Sequence, residues 1–348
     1  SQIGNDRLKW EATEQVDLAL DFGFLPNQRI SGTLGFYKKK TDGLLYAYTM
    51  ALSTGLETTQ INFANIENKG IEFEIKANII DNKDWNWFVG FNIGKNKNKI
   101  TDIDAEYVSY PGSSYLGNTV IQEGKSLGLI YGYKTDGIFQ TQEEVDRYAI
   151  QTQGNDPYNR TSAGDIKFKD LNNDGIINDK DRTYLGSPTP TWIFSMNNSF
   201  AWKGFDLEIF LQGAAGNKIY NANRASLEAM SVAQNQMTTV LDRWRGEGTS
   251  NSMPRAVFGD PNKNGRVSNR FIEDGKYLRL KNVTLGYTLP AAWSKKAAMS
   301  SVRFFVSGQN LLTLTRYTGL DPEISGSGND NNVYPVARNI TFGASVSF

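Results

Sequence analysis

One segment of the chain, DLNNDGIINDKD at residues 170–181, has oxygen-bearing side chains at the spacing of a calcium-binding loop. In such loops positions 1, 3 and 5 supply side-chain oxygens, position 7 supplies a backbone carbonyl, and position 9 makes a direct or water-bridged contact. Gly175 would make the turn, and Asp181 takes the twelfth position with a shorter side chain than the usual glutamate. The predicted calcium ligands are Asp170, Asn172, Asp174, Ile176, Asn178 and Asp181.

The predicted calcium loop is flanked by strand-like and irregular sequence rather than by two helices, so we interpret it as an isolated loop. Its oxygen ligands suit Ca²⁺ better than a transition metal, and the ion would hold an outer loop in place rather than take part in catalysis. The alternative is a turn made by Asp, Asn and Gly with solvated carboxylates. A related segment, GDPNKNG at 259–265, has Phe271 at its twelfth position and is predicted to be only a turn.

Tyrosines are crowded between residues 101 and 139. Aromatic rings stack on sugars, but exposed tyrosines are also ordinary in loops. The candidate substrate contacts are Tyr107, Tyr110 and Tyr115, and Tyr131 and Tyr133 lie in the same region.

The composition excludes several classes of function. The chain has no histidine and no cysteine, which excludes a Ser-His-Asp triad, disulfides and cysteine nucleophiles and disfavours zinc or iron catalysis. No paired carboxylates or phosphate loop stand out, so we predict that the protein is not an enzyme. Lys and Arg number 37, as do Asp and Glu, and this zero net charge argues against nucleic acid as a partner.

The elements that would position these residues are strands in which apolar and polar residues alternate. Val16, Leu18 and Leu20, for example, alternate with Asp17, Ala19 and Asp21. A change of phase between Leu280 and Val283 predicts a bulge near Lys281 and Asn282. The same alternation marks nine strands, at 16–24, 30–36, 71–79, 85–93, 192–202, 205–212, 278–289, from 304 onward and at 340–348.

The lengths and faces of these strands predict a transmembrane antiparallel β-barrel with apolar residues toward lipid and polar residues toward a wet lumen. Most of the strands run to about ten residues, whereas five or six is usual in soluble sheets. The charged residues predicted to face the lumen are Asp17, Asp21, Glu72, Glu74, Lys76, Asp206 and Glu208.

The connections between strands alternate between short and long. The short ones fall at 26–29, 81–84, 203–204 and 291–300, and the long ones at 41–66, 101–190, 220–276 and 317–337. This sorting is typical of a barrel with tight turns on one side of the membrane and loops outside. We place the strand-like segment 127–139 inside a loop and predict a helix over 224–246.

Nine strands is an odd number, whereas single-chain bacterial barrels have even numbers. We therefore expect residues 1–348 to be the C-terminal part of one larger barrel domain, with 101–190 and 220–276 as long extracellular loops. A sheet with two open, apolar edges is also not expected to be stable alone in water.

Several segments, in order along the chain, resemble the SusC/RagA family of TonB-dependent outer-membrane transporters of the Bacteroidota. The matching segments include IENKGIEFEI, YGYKTDGIFQT, GDIKFKDLNNDGIINDKDRTYLGSPTPTWIFSMNNSF, EDGKYLRLKNVTLGYTLP, VSGQNLLTLTRYTGLDPE and the terminal RNITFGASVSF.

The resemblance implies a 22-stranded barrel of which this chain would supply about the last nine strands, without the N-terminal plug and the early strands. It implies import of oligosaccharides, or in some members peptides, across the bacterial outer membrane. The implied partners are a SusD-like surface lipoprotein, TonB acting through a missing N-terminal region, and outer-membrane lipid. It also implies that a terminal aromatic residue, here Phe348, is recognised during outer-membrane assembly.

Two alternatives remain open from the sequence. One is a secreted, calcium-stabilised β-sandwich that binds carbohydrate. The other is a passive porin or adhesin barrel, which a plug domain upstream would distinguish from an active transporter.

Overall fold

The structure, a computed structural model, describes residues 2–3, 5–50, 52–55, 57–103, 108–109, 119–296, 298–324, 326 and 328–348. Nine long strands pair antiparallel in chain order to form one sheet, with β1 and β9 at its two ends. The strands are β1 (Ala12–Phe24), β2 (Ile30–Thr49), β3 (Thr58–Asp81), β4 (Trp85–Ile103), β5 (Trp192–Trp202), β6 (Phe205–Ala215), β7 (Tyr277–Thr288), β8 (Ser301–Thr315) and β9 (Asn339–Ser347).

All nine predicted strands are present, and β5 has the predicted bounds. The predicted bulge is confirmed, because the pairing of β7 with both neighbours shifts between Leu280 and Asn282 and leaves Lys281 unpaired. This extra residue restores Leu278 and Leu280 to the same face as Val283 and Leu285. The change of phase in the sequence was therefore one strand with a bulge rather than two strands.

The prediction of a long connection at 41–66 is wrong. β2 runs to Thr49 and β3 begins at Thr58, so only residues 50–57 connect them. The strands continue through a bulge between Thr41 and Leu44, where Gly43 has a φ of +69°. That conformation suits glycine, and the bulge interrupts the alternation by which the strand was recognised.

The other connections match their predicted lengths. Residues 25–29, 82–84, 203–204 and 289–300 join strands at one end of the sheet, and 104–191, 216–276 and 316–338 join them at the other. The shorter connections include one helix, Ala291–Lys296, and a 3-10 turn at Pro26–Gln28.

The long connections hold small elements rather than irregular chain. They contain α1 (Gln142–Asp146), α2 (Ala222–Leu227) and, in the described residues, nine short strands. Two of these strands fall within the segment 127–139, which confirms its placement inside a connection. The short strands are Val108–Ser109, Thr119–Ile121, Leu129–Gly132, Thr135–Ile138, Ile166–Phe168, Thr183–Gly186, Lys218–Asn221, Ile272–Asp274 and Asn329–Asp330.

The predicted helix over 224–246 is wrong in extent. α2 ends at Leu227, Met230 has a φ of +50°, and only a 3-10 segment at Thr238–Asp242 follows. Two of its apolar residues are nevertheless buried, since Met230 and Val240 pack with Met253, whereas Leu241 is 63% exposed. Helical spacing of apolar residues therefore marked a packed surface here but not a continuous helix.

The buried apolar residues lie mainly in the connections and in the parts of β3 and β4 next to the long connections. One face of the sheet, by contrast, is apolar and exposed. Phe139 and Phe168 are fully buried, but Val16, Leu18 and Leu20 on β1 are 62–70% exposed. The other sheets of the described residues have only four, three and two short strands. The β-sandwich alternative needs a second large sheet over this apolar face, and the described residues do not provide one.

In the part of the chain that the structure describes, no helix is both long enough and apolar enough to cross a membrane.

Candidate functional site

The polar face of β1–β5 forms a groove with a cavity of about 540 Å³. Asp17, Glu72 and Glu74 line it together with asparagines of β4, and Gly35 and Gly94 contribute no side chains. The pairing places Gly35 opposite Glu72 and Glu72 opposite Gly94, so the glycines leave room around that carboxylate. The groove is therefore open and presents three carboxylates.

Hydrogen bonds order the polar groups of this groove. The Tyr37 hydroxyl donates to Asn96 Oδ1 at 3.0 Å, and the Asn92 amide donates to the Ser195 hydroxyl at 2.8 Å. The Thr33 hydroxyl donates to Asp21 at 2.7 Å. These bonds hold side chains of neighbouring strands at fixed positions along the wall.

The seven charged residues predicted to face the lumen lie on this polar face. The pairing Glu208–Ser199–Phe88 carries the face across β6, β5 and β4. Lys76 pairs with Glu74, and Arg303 of β8 pairs with Asp206. Asp17, Asp21, Glu72 and Glu208 have no such ion pair in the described residues, so the face carries an excess of negative charge.

The predicted calcium loop is held by hydrogen bonds from its own backbone. Asp170 accepts the N–H groups of Asn173 at 2.7 Å and Gly175 at 2.9 Å. The hydrogen bond from the Ile176 N–H, followed by that from the Asn172 amide, keeps the pKa of Asp174 below its ordinary value. Residues 171–176 are exposed.

The closing residue of this loop differs from the rest, because Asp181 is fully buried. Its carboxylate accepts the N–H groups of Leu171 at 2.9 Å and Asn178 at 2.8 Å. Each oxygen still has one lone pair, and the set of donors is entirely oxygen, as Ca²⁺ prefers. However, no group of three His, Cys, Asp or Glu side chains is placed to hold a metal ion among the described residues.

The segment 259–265 is a turn, as predicted, but it is also built into the interior. Asp260 accepts the N–H groups of Asn264 at 2.7 Å and Gly265 at 2.9 Å. Burial raises the pKa of Asp260 above its ordinary value. Asn262 and Asn264 are 0% and 4% exposed.

A buried polar network surrounds this turn, and sequence reasoning missed it. Asp165, fully buried, accepts hydrogen bonds from Arg255 at 2.9 and 3.0 Å and from the Asn264 amide at 3.0 Å. Asn262 accepts from Gln151 and Thr161, both at 2.7 Å. These partners of Asn262 are about 100 residues away along the chain. Local spacing therefore contained no indication of the network.

The candidate substrate tyrosines Tyr107, Tyr110 and Tyr115 lie outside the described residues. Tyr131 and Tyr133 are described and are packed within the connections. The ring centroid of Tyr131 lies 5.5 Å from that of Tyr184, and the Arg266 guanidinium lies 4.9 Å from that of Tyr133. Neither ring is thereby presented as a free sugar-stacking surface.

Ion pairs tie the long connections to the sheet. Arg279 of β7 is 2% exposed and donates to Asp321 at 2.6 Å and Glu323 at 2.8 Å. Burial alone would raise the pKa of Asp321, but the Glu323 N–H and the Arg279 side chain lower it below its ordinary value. Connection 316–338 is thus anchored to the inside of β7 by a buried cation.

A second set of ion pairs joins elements within 216–276. Glu228, 3% exposed, accepts from Arg270 at 2.7 Å and Arg224 at 2.9 Å. Burial opposes ionisation of Glu228, but the two arginines lower its pKa below the ordinary value. Arg224 also reaches Glu273 at 3.3 Å, which in turn accepts from Thr318.

Comparison with known proteins identifies relatives that match the whole chain. The chain is 34% identical over 365 residues to the TonB-dependent receptor P3 of Formosa agariphila, and this alignment covers 100% of the chain and 35% of the relative. It is 30% identical over 357 residues to the TonB-dependent receptor SusC of Bacteroides thetaiotaomicron, covering 99% of the chain and 32% of SusC.

The chain belongs to the SusC/RagA family of TonB-dependent receptors. It spans about a third of the length of these relatives. No family model matches it.

The fold agrees with this family. A solved structure of the RagAB peptide transporter superposes with a TM-score of 0.82 at 24% identity, covering 100% of this chain and 36% of that one. At that identity the likeness concerns the fold alone. It shows that the nine-stranded sheet and its long connections are arranged in this SusC/RagA-type chain as they are in the RagAB structure.

One further predicted site is the C-terminal residue. Phe348 follows the last residue of β9 and is 93% exposed. The assembly role implied for it by the SusC/RagA resemblance is not tested by this position and stays a prediction.

Proposed function

We propose that this chain forms part of the wall of an outer-membrane importer that draws its energy from TonB. The similarity to TonB-dependent receptors along the whole chain is the observation that carries this proposal. The sheet supports it, because one face is apolar and exposed over strands long enough to cross a bilayer, and the opposite face is polar. The barrel would be closed by further strands and a plug.

In this proposal the groove on the polar face borders the path of the substrate. Its carboxylates and amides would keep the wall hydrated and offer hydrogen-bonding partners to a polar solute. The outer connections 104–191, 216–276 and 316–338 would lie on the extracellular side. The buried ion pairs of Arg279 and Glu228 would hold the long connections rigid where they join the sheet, while a plug moves below them.

The proposed partner at the outer side is a SusD-like lipoprotein that covers the long connections. The resemblance to the SusC/RagA family implies such a partner, and SusC is among the relatives that the chain matches. Co-purification of a surface lipoprotein with the intact protein from outer membranes tests it. Recovery of the transporter alone, under conditions that keep a known pair together, would contradict it.

The substrate is an oligosaccharide or a peptide. RagAB is named as a peptide transporter, whereas the family resemblance also includes importers of oligosaccharides. Growth of a deletion strain on defined oligosaccharides and on defined peptides as sole carbon source would separate the two. We expect loss of growth on one class only, and restoration by the intact gene.

The energy dependence of uptake distinguishes the proposed importer from the alternative of a passive porin or adhesin barrel. Uptake in the complemented strain should stop when TonB is disrupted or the proton gradient is collapsed. Uptake that persists after either treatment would show passive flow and would overturn the proposed function.

Calcium binding by loop 170–181 stays a prediction. The loop has an all-oxygen set of donors and glycine at the sixth position, where Gly175 has a φ of +81°. When bound, Ca²⁺ would link Asp170, Asn172 and Asp174 and so stiffen an outer connection. It would have no part in transport chemistry.

A further inference from the structure

Four lysines lie side by side on the apolar face of the sheet, just above its apolar band. We call Lys38, Lys69, Lys95 and Lys97 the lysine patch. The pairing of β2 with β3 and of β3 with β4 puts Lys38 opposite Lys69 and Lys69 opposite Lys97, and Lys95 lies one row below, opposite Ile71. The patch is on the side of the long connections.

Like charges directly opposite each other on neighbouring strands repel and destabilise a sheet. Three neighbouring lysines in one row therefore need a nearby negative charge to offset their repulsion. Glu67, one row above, lies 3.0 Å from the Lys38 ammonium and 3.6 Å from that of Lys69. One carboxylate is thus shared by two lysines, whose side chains remain 61% and 58% exposed.

The other two lysines have no carboxylate partner in the described residues. The Lys95 ammonium lies 4.9 Å from the ring centroid of Trp192, and Lys97 is exposed. Including Glu67, the block carries four positive charges and one negative charge. The row above, which contains this same Glu67, alternates in sign instead, because Glu14, Lys40, Glu67 and Lys99 lie side by side across the four strands.

The rows directly below the patch are apolar. Phe36 lies opposite Ile71, and below them Leu34, Phe73 and Ile93 lie opposite one another. A ligand that satisfies both regions has an anionic head at the level of the lysines and an apolar tail along the strands. A soluble anion would satisfy only the first.

We propose that the lysine patch binds the phosphate groups of a phosphorylated lipid in the outer leaflet, with the acyl chains against Leu34, Phe73 and Ile93. The inference rests on the membrane orientation given under the proposed function, with the long connections outside. It adds a lipid site on the outer surface of the wall, separate from the substrate path.

The test is binding of lipid A to the intact protein in detergent, followed by native mass spectrometry. Lipid A and its dephosphorylated form, with the same acyl chains, are compared, and inorganic phosphate is added as a competitor. We expect lipid A to bind at least about tenfold more tightly than the dephosphorylated form. Inorganic phosphate at equal concentration should leave lipid A bound.

The variant Lys38→Gln, Lys69→Gln, Lys97→Gln removes three charges from the row. A matched variant, Lys39→Gln, Lys83→Gln, Lys296→Gln, removes the same charge from the polar face of β2 and from two short connections. The first should bind lipid A at least about tenfold more weakly, and the second within about twofold of the parent. Equal far-ultraviolet circular dichroism shows that all three fold.

Equal binding of lipid A by both variants, or of both lipids by the parent, would overturn the proposal. Displacement of lipid A by inorganic phosphate would identify a site for free anions and would overturn it as well. A failure of the import proposal shows instead in the uptake assay, which this measurement does not use.

Discussion

Two loops in this chain share a sequence, D-x-N-x-[DN]-G, at 170–175 and 260–265, yet they have opposite surroundings. Their local structure is the same, since the aspartate at position 1 accepts the N–H of the glycine at position 6, at 2.9 Å in both. The first loop is exposed and the second is packed into a buried polar network. A shared local motif therefore leaves burial undetermined.

The difference is concentrated at position 5. Asp174 in the exposed loop only accepts hydrogen bonds, whereas Asn264 in the buried loop donates its amide to Asp165 at 3.0 Å. An aspartate at 264 would put two carboxylates in contact. The amide is thus required where a second acid is buried nearby, and a carboxylate is tolerated where water is available.

The largest expected effect follows from exchanging these residues. Asn264→Asp removes a donor and buries a second carboxylate against Asp165, so the local free energy of unfolding should fall by about 3–5 kcal/mol. Hydrogen exchange of the Ile166 amide, which bonds to Asn264 Oδ1 at 2.8 Å, measures this loss. The reverse exchange, Asp174→Asn, should leave exchange at that amide unchanged, and a similar loss in both variants would contradict the comparison.

Position 3 should show a smaller contrast. Asn262→Ala leaves the Gln151 amide and the Thr161 hydroxyl without their shared acceptor and should cost about 1–3 kcal/mol. Asn172→Ala, in the exposed loop, should cost less than about 0.5 kcal/mol. Limited proteolysis and hydrogen exchange around each loop provide the measurement, and equal costs would show that burial does not separate the two loops.

Calcium should affect only the exposed loop. At a free concentration ten times its dissociation constant, Ca²⁺ would stabilise loop 170–181 by about 1.4 kcal/mol, seen as slower proteolysis there. Asp170→Ala should abolish this protection, and loop 260–271 should show none with or without the ion. Unchanged proteolysis of the parent on addition of Ca²⁺ would rule out the metal site.

Lowering the pH should change the stability of the two loops in opposite directions. Burial raises the folded-state pKa of Asp260, so its contribution to stability improves as pH falls from above that pKa toward the ordinary value of about 3.9. Hydrogen bonds lower the pKa of Asp174, so its contribution is present above the ordinary value and is lost as pH falls through the lowered pKa.

Hydrogen exchange, corrected for intrinsic rates, follows both loops over this pH range. Asp260→Asn and Asp174→Asn are the matched controls, and each should remove the pH dependence of its own loop only. Parallel behaviour of the two loops in the parent would contradict the assignment.

The same contrast explains which predictions succeeded. The alternation at 85–93 and 192–202 identified β4, β5 and their faces, because side-chain direction in a strand has a period of two and is local. The part of β2 that follows Gly43 was missed because the bulge there breaks that period. The helix over 224–246 was overestimated because Met230 and Val240 are buried by contacts with Met253 rather than along one helix face.

Residue order alone determined that there are nine long strands, though not their full lengths, and it determined their two faces, the bulge at Lys281 and the turn conformation of both aspartate loops. Each depends on bonds and sterics within a few residues. Only the tertiary structure decided that Asn262 is buried, that Arg279 anchors connection 316–338, and that Lys38, Lys69 and Lys97 share one row. These features depend on register and packing between residues far apart in the chain, which local spacing does not encode.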